Sequence, residues 1–190
     1  MSTTQPIRDI EDVRKLTNYY LNLGQHRNHL LIVFGLYSAL RIGDMLPIVW
    51  GDVYDFGRSQ PKAKLTLKEQ KTGKVKTLAL NEHITKALQQ SFSKVNPLPG
   101  SFLFANPHTN QPITRIQARR IIVAAGQGAK LPYGVSCHSL RKTFGYHAWR
   151  RGVSPAVLME IYNHSSLNHT RRYLGVAQDD LDTVYLWSGF

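Results

Sequence analysis

Four side chains in the C-terminal part of the chain have the types that phosphodiester chemistry requires. His138 and Arg141 are separated by one helical turn. His164 follows a second predicted helix, and Tyr173 comes nine residues later. Two imidazoles, a guanidinium and a phenol are an unusual combination for a packed core. Around a phosphodiester, one group can attack, one can transfer protons and the others can bind negative charge, so the segment 137–175 predicts a site for a phosphate ester.

Arg41 is a further candidate, because it follows a strongly apolar predicted helix. A helix that is apolar on most faces is usually central to a domain, so the Arg41 guanidinium is expected to be held rigidly where that helix ends. Asp44, three residues later, is placed to accept hydrogen bonds from this guanidinium and to fix its orientation. An arginine at a helix end more often only neutralises the helix dipole, and the functional interpretation depends on the other motifs.

Two segments of alternating apolar and polar residues, 64–69 and 75–80, predict a β-hairpin. Gly73 lies in the connecting turn and supplies the positive φ that a tight turn needs. We expect the tip, with Lys71 and Lys74, to be a mobile arm that can reach into a groove. The turn is not a phosphate-binding P-loop, because Lys68 stands where that motif requires a glycine.

Five short motifs, in this order, resemble the catalytic domain of the tyrosine recombinases, the phage integrase family: R-I-G-D, K-T-G, H-S-L-R, N-H-S and R-Y-L-G. The resemblance spans Arg41 to Gly175. It implies a mainly α fold with a small antiparallel β-sheet (α+β), the tyrosine recombinase/integrase catalytic-domain fold. It also implies a site-specific recombinase that cuts and rejoins DNA through a 3′-phosphotyrosyl intermediate, as a homo-oligomer (a tetramer) on double-stranded DNA.

The resemblance assigns a role to each side chain of the predicted site. The predicted catalytic residues are Arg41, Lys71, His138, Arg141, His164 and Tyr173. Tyr173 is the nucleophile, His138 is the base or proton relay, and Lys71 protonates the leaving 5′ oxygen. Lys71 is preferred to Lys74 because it directly precedes Thr-Gly, as in the family pattern. The two arginines grip the non-bridging oxygens in place of a metal ion, and His164 adds a hydrogen bond, so no cofactor is expected.

Helices must position these motifs, and their boundaries can be read from caps and periodicity. Helices are predicted over residues 10–23, 27–40, 81–95 and 114–126, and from Cys137 onward. Ser154 and Pro155 fit the N-cap and first position of a further helix that ends at His164. Ser165 or Ser166 can cap a last short helix. His147 falls on an apolar stripe and is interpreted as a core or boundary histidine.

The charge balance indicates a polyanionic partner. The chain has 24 Lys and Arg against 12 Asp and Glu, a net charge of +12, and a pI of about 10.0. Such a surplus favours nucleic acid, because each neutralised phosphate releases counterions. The basic side chains predicted to contact DNA are those of Lys74, Arg115, Arg119, Arg120, Lys142, Arg171 and Arg172.

The numbers and spacing of cysteine and histidine indicate the redox compartment and whether a metal site is expected. The single cysteine, Cys137, excludes an internal disulfide and fits the reducing bacterial cytoplasm. No apolar run has the length of a membrane span, and the N-terminus does not resemble a signal peptide. The histidines show no H-E-x-x-H spacing and no cysteine partners, which disfavours a metal site.

We predict one catalytic domain, 1–175, and a C-terminal tail helix, 176–190, with no separate N-terminal core-binding domain. The apolar residues of the tail at helical spacing are Leu181, Val184, Tyr185 and Trp187. The tail can pack on its own domain or dock in trans on a neighbouring subunit. Three alternative functions stay open: a type IB topoisomerase that relaxes DNA as a monomer, a non-catalytic DNA-binding regulator of the same fold, and a basic RNA-binding module.

Overall fold

The computed structural model describes residues 4–175 and 185–186. The elements of this part are α1 (Ile10–Asn22), α2 (His26–Tyr37), α3 (Ile42–Met45), α4 (Trp50–Val53), β1 (Tyr54–Asp55), β2 (Gln60–Pro61), β3 (Lys64–Lys68), β4 (Val75–Ala79), α5 (Glu82–Val95), α6 (Arg115–Gly128), α7 (Cys137–Arg150), α8 (Pro155–Tyr162) and α9 (Leu167–Leu174). Strands β1–β2 and β3–β4 form two separate antiparallel pairs. The predicted class, mainly helical with a small antiparallel component, is confirmed.

Helix α2 is the centre of the domain. All residues from His29 to Leu36 are buried, and the helix packs against α1, α5 and α7. Apolar side chains around its whole circumference explain this position, since each face finds an apolar neighbour. The chain leaves α2 through Ala39, which is fully buried and has a positive φ of 54°. This turn directs Arg41 to the N-cap of α3.

The β3–β4 hairpin has the predicted strands, but its tip is not free. Leu65 pairs with Leu78 in the register, and Gly73 has the expected positive φ of 68°. The Glu69 N–H donates to the Lys74 carbonyl (2.9 Å), and the Gly73 N–H donates to the Glu69 carbonyl (2.8 Å). Because the tip also bonds to neighbouring elements, as described below, it forms part of the site wall. The expectation of a mobile arm is not supported.

Helices α7 and α8 both begin at a serine cap, and the cap of α8 is the predicted one. Ser136 caps α7 and Ser154 caps α8, with Pro155 at the first position. Helix α7 packs closely on α8 and α9 at Gly145, where a Cβ atom would lie 2.2 Å from the Tyr162 hydroxyl oxygen. Only a glycine permits this approach, so Gly145 sets the spacing of the helices that carry the C-terminal motifs.

Residues 4–8, here called the N-terminal strap, run across α7 to the end of α9. The Ile7 N–H donates to Thr143 Oγ1 (2.9 Å), and the Ile7 carbonyl lies 3.0 Å from His147 Nε2. The Arg8 guanidinium donates to the Gly175 carbonyl (2.7 Å). His147 is thus a half-buried boundary residue with a backbone partner, as predicted.

The predicted tail helix lies outside the described residues, except for Tyr185 and Leu186, whose side chains are exposed. Within residues 4–175 and 185–186, no helix combines the length and the apolar composition needed to cross a membrane.

Candidate active site

Four of the predicted catalytic side chains meet where α7, α8 and α9 converge. The Tyr173 ring on α9 is 6% exposed. Its centroid lies 5.0 Å from the His138 ring and 5.0 Å from the His164 ring, both in edge-to-face geometry. The Arg141 Cζ atom lies 5.9 Å from the same centroid. The residues come from three helical segments, so the tertiary packing of these segments brings the four side chains together.

The Tyr173 hydroxyl is buried and has no hydrogen-bond partner. Burial raises the pKa of Tyr173, and the nearby Arg141 guanidinium offsets part of this rise. The hydrogen bonds of Arg141 go to the backbone carbonyls of Ala39 and Tyr162, and none reaches the phenol oxygen. An unsatisfied buried hydroxyl costs about 1–3 kcal/mol. The phenol is therefore protonated at neutral pH and has a free oxygen.

Three cations converge on the C-terminal end of α8. Arg141 donates to the Tyr162 carbonyl (3.0 Å), and Arg41 donates to the same oxygen (3.3 Å). Lys76 Nζ donates to the preceding carbonyl, that of Ile161 (2.6 Å). The last carbonyls of a helix carry partial negative charge and have no partner within the helix. The end of α8 thus holds the positive charges together despite their mutual repulsion.

Glu69, rather than Asp44, forms the close ion pair with Arg41. Glu69 Oε1 lies 3.1 Å from Arg41 Nη1, whereas Asp44 Oδ2 lies 4.0 Å from that atom, beyond hydrogen-bond range. Asp44 instead accepts the Gln70 N–H at Oδ1 (2.8 Å). The carboxylate predicted to orient Arg41 thus anchors the hairpin tip. Sequence reasoning missed Glu69, although it directly precedes the Gln-Lys-Thr-Gly turn.

A cleft of about 510 Å³ opens beside this cluster. Its wall includes Arg41, Lys71, His138 and Arg141, so both arginines and the predicted general acid face one space. Lys74 does not line the cleft and donates to Asn163 Oδ1 (3.3 Å). This arrangement agrees with the choice of Lys71 over Lys74.

The predicted arginine row on α6 extends from the cleft. Arg115, Arg119 and Arg120 are all exposed. Arg115 also lines the cleft and donates to Gln70 Oε1 (3.0 Å). Its guanidinium lies over Gly43, where a Cβ atom would come within 2.5 Å of Arg115 Nη2. The glycine of the R-I-G-D motif therefore allows a third guanidinium to reach the cleft.

The pattern of the phage integrase family matches residues 9–179. A "Probable integrase/recombinase YoeC" of Bacillus subtilis is 36% identical over 185 residues, which cover 97% of both chains. This chain belongs to the phage integrase family.

Other relatives extend beyond the matched region. A "Tyrosine recombinase XerC" of Halalkalibacterium halodurans is 29% identical over 85% of this chain and 54% of its own. Crystal structures of XerA recombinase (TM-score 0.78, 19% identity) and of XerH bound to palindromic difH substrate (TM-score 0.74, 18% identity) share the fold. Each match covers 98% of this chain, but only 64% of XerA and 54% of XerH. This chain thus spans little more than half of several relatives and nearly all of YoeC.

Lys142 differs from its predicted role in this integrase-family domain. It was expected to contact DNA, but it is 9% exposed and its Nζ donates to the Thr4 carbonyl (2.7 Å). The N-terminal strap covers it, and no sequence signal indicates a contact over this separation. Arg171 is exposed, as a DNA contact requires, and the side chain of Arg172 lies outside the described part.

Lys76 is a second residue that sequence reasoning missed. Burial, together with the charge of Arg141, lowers the pKa of Lys76 to about 8. The signal lay in the strand alternation, because every second residue of β4 faces inward. Its ammonium therefore belongs to the cation cluster of the integrase site. Within the described residues, no group of three His, Cys, Asp or Glu side chains is arranged to hold a metal ion.

The two site histidines are neutral at pH 7. Burial, followed by the charges of His169 and Arg141, lowers the pKa of His164 to about 4. His138 is an exposed residue, but partial burial of its ring, followed by the charges of Lys142 and Arg141, still lowers its pKa. A neutral imidazole can accept a proton, which suits the relay role assigned to His138.

We expect the free energy of unfolding to decrease as the pH falls from 6.5 to about 4. Between the ordinary pKa of 6.5 and the folded value of about 4, the unfolded state binds more protons at His164, so acid favours unfolding. Because the ring is partly solvated, we expect a loss of about 1–2 kcal/mol. Urea unfolding at several pH values measures it. His164→Gln should flatten the slope, and His108→Gln, at an exposed position, should not; equal slopes in both variants would contradict the assignment.

Proposed function

We propose that this chain is a site-specific DNA recombinase that cuts and rejoins strands through a 3′-phosphotyrosyl link to Tyr173. The observation that carries the proposal is the unpaired Tyr173 hydroxyl, buried among two neutral imidazoles and a guanidinium beside a cationic cleft. A structural tyrosine in a core normally finds a hydrogen-bond partner. Membership of the phage integrase family supports the same reaction class.

The proton path in the proposed reaction uses three side chains. The Tyr173 oxygen attacks phosphorus and the bond from phosphorus to the 5′ oxygen breaks, which leaves a 3′-phosphotyrosine and a free 5′ hydroxyl. The phenol proton passes to His138, and the 5′ oxygen takes a proton from Lys71. A 5′ hydroxyl from another cut strand reverses the step. The phosphotyrosyl ester conserves the bond energy, so no nucleotide is consumed.

The charge that grows on the non-bridging oxygens is stabilised by Arg41 and Arg141, with a hydrogen bond from His164. Each guanidinium has five N–H donors. Arg141 uses two of its nitrogens for backbone carbonyls, and this fixes the group while leaving other donors for phosphate. A preorganised contact of this kind contributes about 3 kcal/mol to the transition state. The guanidiniums of Arg41 and Arg141, here called the clamp, supply the fixed positive charge that a metal ion would otherwise provide.

Double-stranded DNA is the proposed partner, and the active form is a homo-oligomer, a tetramer, on that DNA. The exposed arginine row of α6 and the net charge of +12 favour a polyanion. A solved relative with the same fold, XerH, was crystallised on its difH substrate. The buried phenol also has to reach the phosphate, so DNA binding is expected to shift α9 toward the cleft.

Covalent capture on a pool of nicked duplexes with random sequence tests the function without knowledge of the target. A nick beside the cut lets the short 5′ product diffuse away, which traps the protein on DNA. The expected result is a denaturant-resistant adduct whose DNA is joined through its 3′ phosphate to a peptide containing Tyr173. Binding without any adduct would support a regulator, and relaxation of plasmids without site preference would support a topoisomerase.

We expect the salt dependence of DNA binding to separate exposed from covered cations. Each phosphate contact contributes about 0.9 to the slope of log K against log salt concentration. Arg119→Ala combined with Arg120→Ala should therefore reduce the slope by about 2. Lys142→Ala is the control, because the strap already occupies its ammonium. Fluorescence anisotropy at several salt concentrations measures the slopes, and a decrease for Lys142→Ala as large as for one α6 arginine would contradict the assignment.

A further inference from the structure

The carboxylate of Glu69 is buried and bonded to three separate chain segments. Its side chain is 1% exposed. Oε1 accepts from Arg41 Nη1 (3.1 Å). Oε2 accepts from the Thr72 hydroxyl (2.8 Å) and from Asn163 Nδ2 (3.0 Å). A buried carboxylate is stable only when its oxygens are satisfied and its charge is paired, and both conditions hold here.

Each partner of Glu69 belongs to, or directly adjoins, a predicted catalytic residue. Arg41 is one itself. Thr72 follows Lys71 in the hairpin turn, and Asn163 precedes His164. Arg41, the hairpin turn and the α8 end are far apart in the chain, and of the three Glu69 contacts only the one to Thr72 is local in sequence.

The backbone at Asn163 makes its contact with Glu69 important for the position of His164. Asn163 is the C-cap of α8 in the left-handed conformation (φ 53°). Its side chain therefore fixes the point at which the chain turns from α8 toward His164. The hairpin tip has further anchors, since the Gln70 N–H donates to Asp44 and Lys74 Nζ donates to Asn163 Oδ1. Among these contacts, those of Glu69 are the ones that also join the tip and the α8 end to Arg41.

The charge of Glu69 also offsets the repulsion within the cation cluster. Burial by itself would raise the pKa of Glu69, but hydrogen bonds from Asn163 and Thr72 and the charge of Arg41 lower it below its ordinary value. The group is therefore ionised at neutral pH. Without this anion, the backbone carbonyls at the α8 end and the more distant Asp44 carboxylate, 4.0 Å from Arg41 Nη1, would have to compensate Arg41, Lys76 and Arg141.

We propose that Glu69 is the positioning residue that holds Lys71, Arg41 and His164 in one arrangement around the phosphate. The inference rests on the proposed function, because it concerns the same strand-cleavage step. Glu69 does not line the cleft, so the proposal gives it no direct contact with DNA. It acts through its three partners, and its loss misplaces the general acid and one arm of the clamp together.

A sulfur leaving group distinguishes the loss of the general acid Lys71 from the loss of the Arg41 contact to phosphate. In a nicked duplex whose scissile 5′ oxygen is replaced by sulfur, the same attack by Tyr173 breaks a phosphorus–sulfur bond. The thiolate leaves without a proton, because thiols have a pKa near 8.5. The cleavage rate on sulfur therefore does not depend on Lys71, but it still depends on the clamp. The test compares adduct formation on oxygen and sulfur substrates at the site that covalent capture identifies.

We expect Glu69→Ala to slow cleavage of the oxygen substrate about 100-fold and to regain roughly half of this deficit, on a logarithmic scale, with sulfur. Lys71→Ala should regain nearly all of its deficit with sulfur, and Arg41→Ala almost none. Thr72→Val removes the Glu69 contact to the turn and a longer hydrogen bond from the Lys74 N–H (3.3 Å), both within the hairpin tip. Its smaller deficit should therefore be rescued like that of Lys71→Ala. Glu160→Ala, an exposed carboxylate on α8, is the matched control and should cleave both substrates normally.

Two results would overturn the inference while leaving the proposed function intact. One is normal cleavage of the oxygen substrate by Glu69→Ala. The other is a deficit in Glu69→Ala and Thr72→Val that is equal on the two substrates, because a merely destabilised domain does not distinguish oxygen from sulfur. If the unmodified chain forms no adduct on either substrate, the proposed function itself fails, and the inference fails with it.

Discussion

Tyr173→Phe is expected to abolish the covalent protein–DNA adduct while DNA affinity stays within about twofold. Loss of a nucleophile reduces turnover by about 10⁴-fold or more, because no other group replaces the attacking atom. The structure adds an unusual expectation about stability. The Tyr173 hydroxyl is buried without a partner, so its removal eliminates an unsatisfied polar atom. The free energy of unfolding should therefore stay unchanged or rise by up to about 1 kcal/mol.

Tyr162→Phe is the matched control for this prediction. Tyr162 packs edge-on against Tyr173, at 4.9 Å between ring centroids, but its hydroxyl donates to the Arg141 carbonyl (2.8 Å). Removing that hydroxyl should lower the free energy of unfolding by about 1 kcal/mol and leave the adduct in place. Adduct formation by denaturing electrophoresis and unfolding by urea measure both variants. A persistent adduct in Tyr173→Phe, or its loss in Tyr162→Phe, would assign the nucleophile elsewhere.

Arg141→Lys should slow strand cleavage about 10²- to 10³-fold although the charge is kept. Arg141 is 2% exposed and donates from two nitrogens to the carbonyls of Ala39 and Tyr162. Its Cζ atom also lies 4.8 Å from the centroid of the Tyr162 ring. A lysine ammonium cannot satisfy both carbonyls and still present a flat fork to a phosphate. We also expect a loss of stability of about 2 kcal/mol, because a buried carbonyl loses its donor.

Replacement of two other arginines by lysine distinguishes the effect on cleavage from the effect on stability. Arg41→Lys should reduce cleavage to a similar degree but cost less stability, since the Arg41 side chain is 26% exposed. Arg58→Lys should change neither, because that side chain is 78% exposed. Single-turnover cleavage and urea unfolding provide the two measurements. An Arg141→Lys variant that cleaves at the rate of the unmodified chain would remove the clamp from the mechanism.

Features that depend on nearby residues were predictable from the sequence. Asp9, Asn81, Thr114, Ser136 and Ser154 cap helices in the structure, and the helices predicted from the sequence begin at or directly after these residues. A capping hydrogen bond spans two or three residues, so the sequence contains both partners.

Contacts between distant segments were not predictable. The position of Asp44, three residues after Arg41, suggested a direct hydrogen bond, but the partner of Arg41 is Glu69, twenty-eight residues away in the chain. The carbonyl that accepts from Lys76 lies on α8. Lys142 was predicted to contact DNA because no residue near it in the sequence is expected to bury its side chain. The group that binds its ammonium is the Thr4 carbonyl of the strap, 138 residues earlier. Electrostatic partners of this kind are fixed only by the tertiary fold.

The N-terminal strap is bonded at both of its ends to residues that surround the nucleophile. Arg8 holds the Gly175 carbonyl, two residues after Tyr173, and Lys142 holds the Thr4 carbonyl from a position whose ammonium lies 5.4 Å from the Tyr173 ring centroid. Tension on the strap therefore acts on the backbone immediately beyond the phenol. A displacement of these five residues would be transmitted to the C-terminal end of α9, the helix that carries Tyr173.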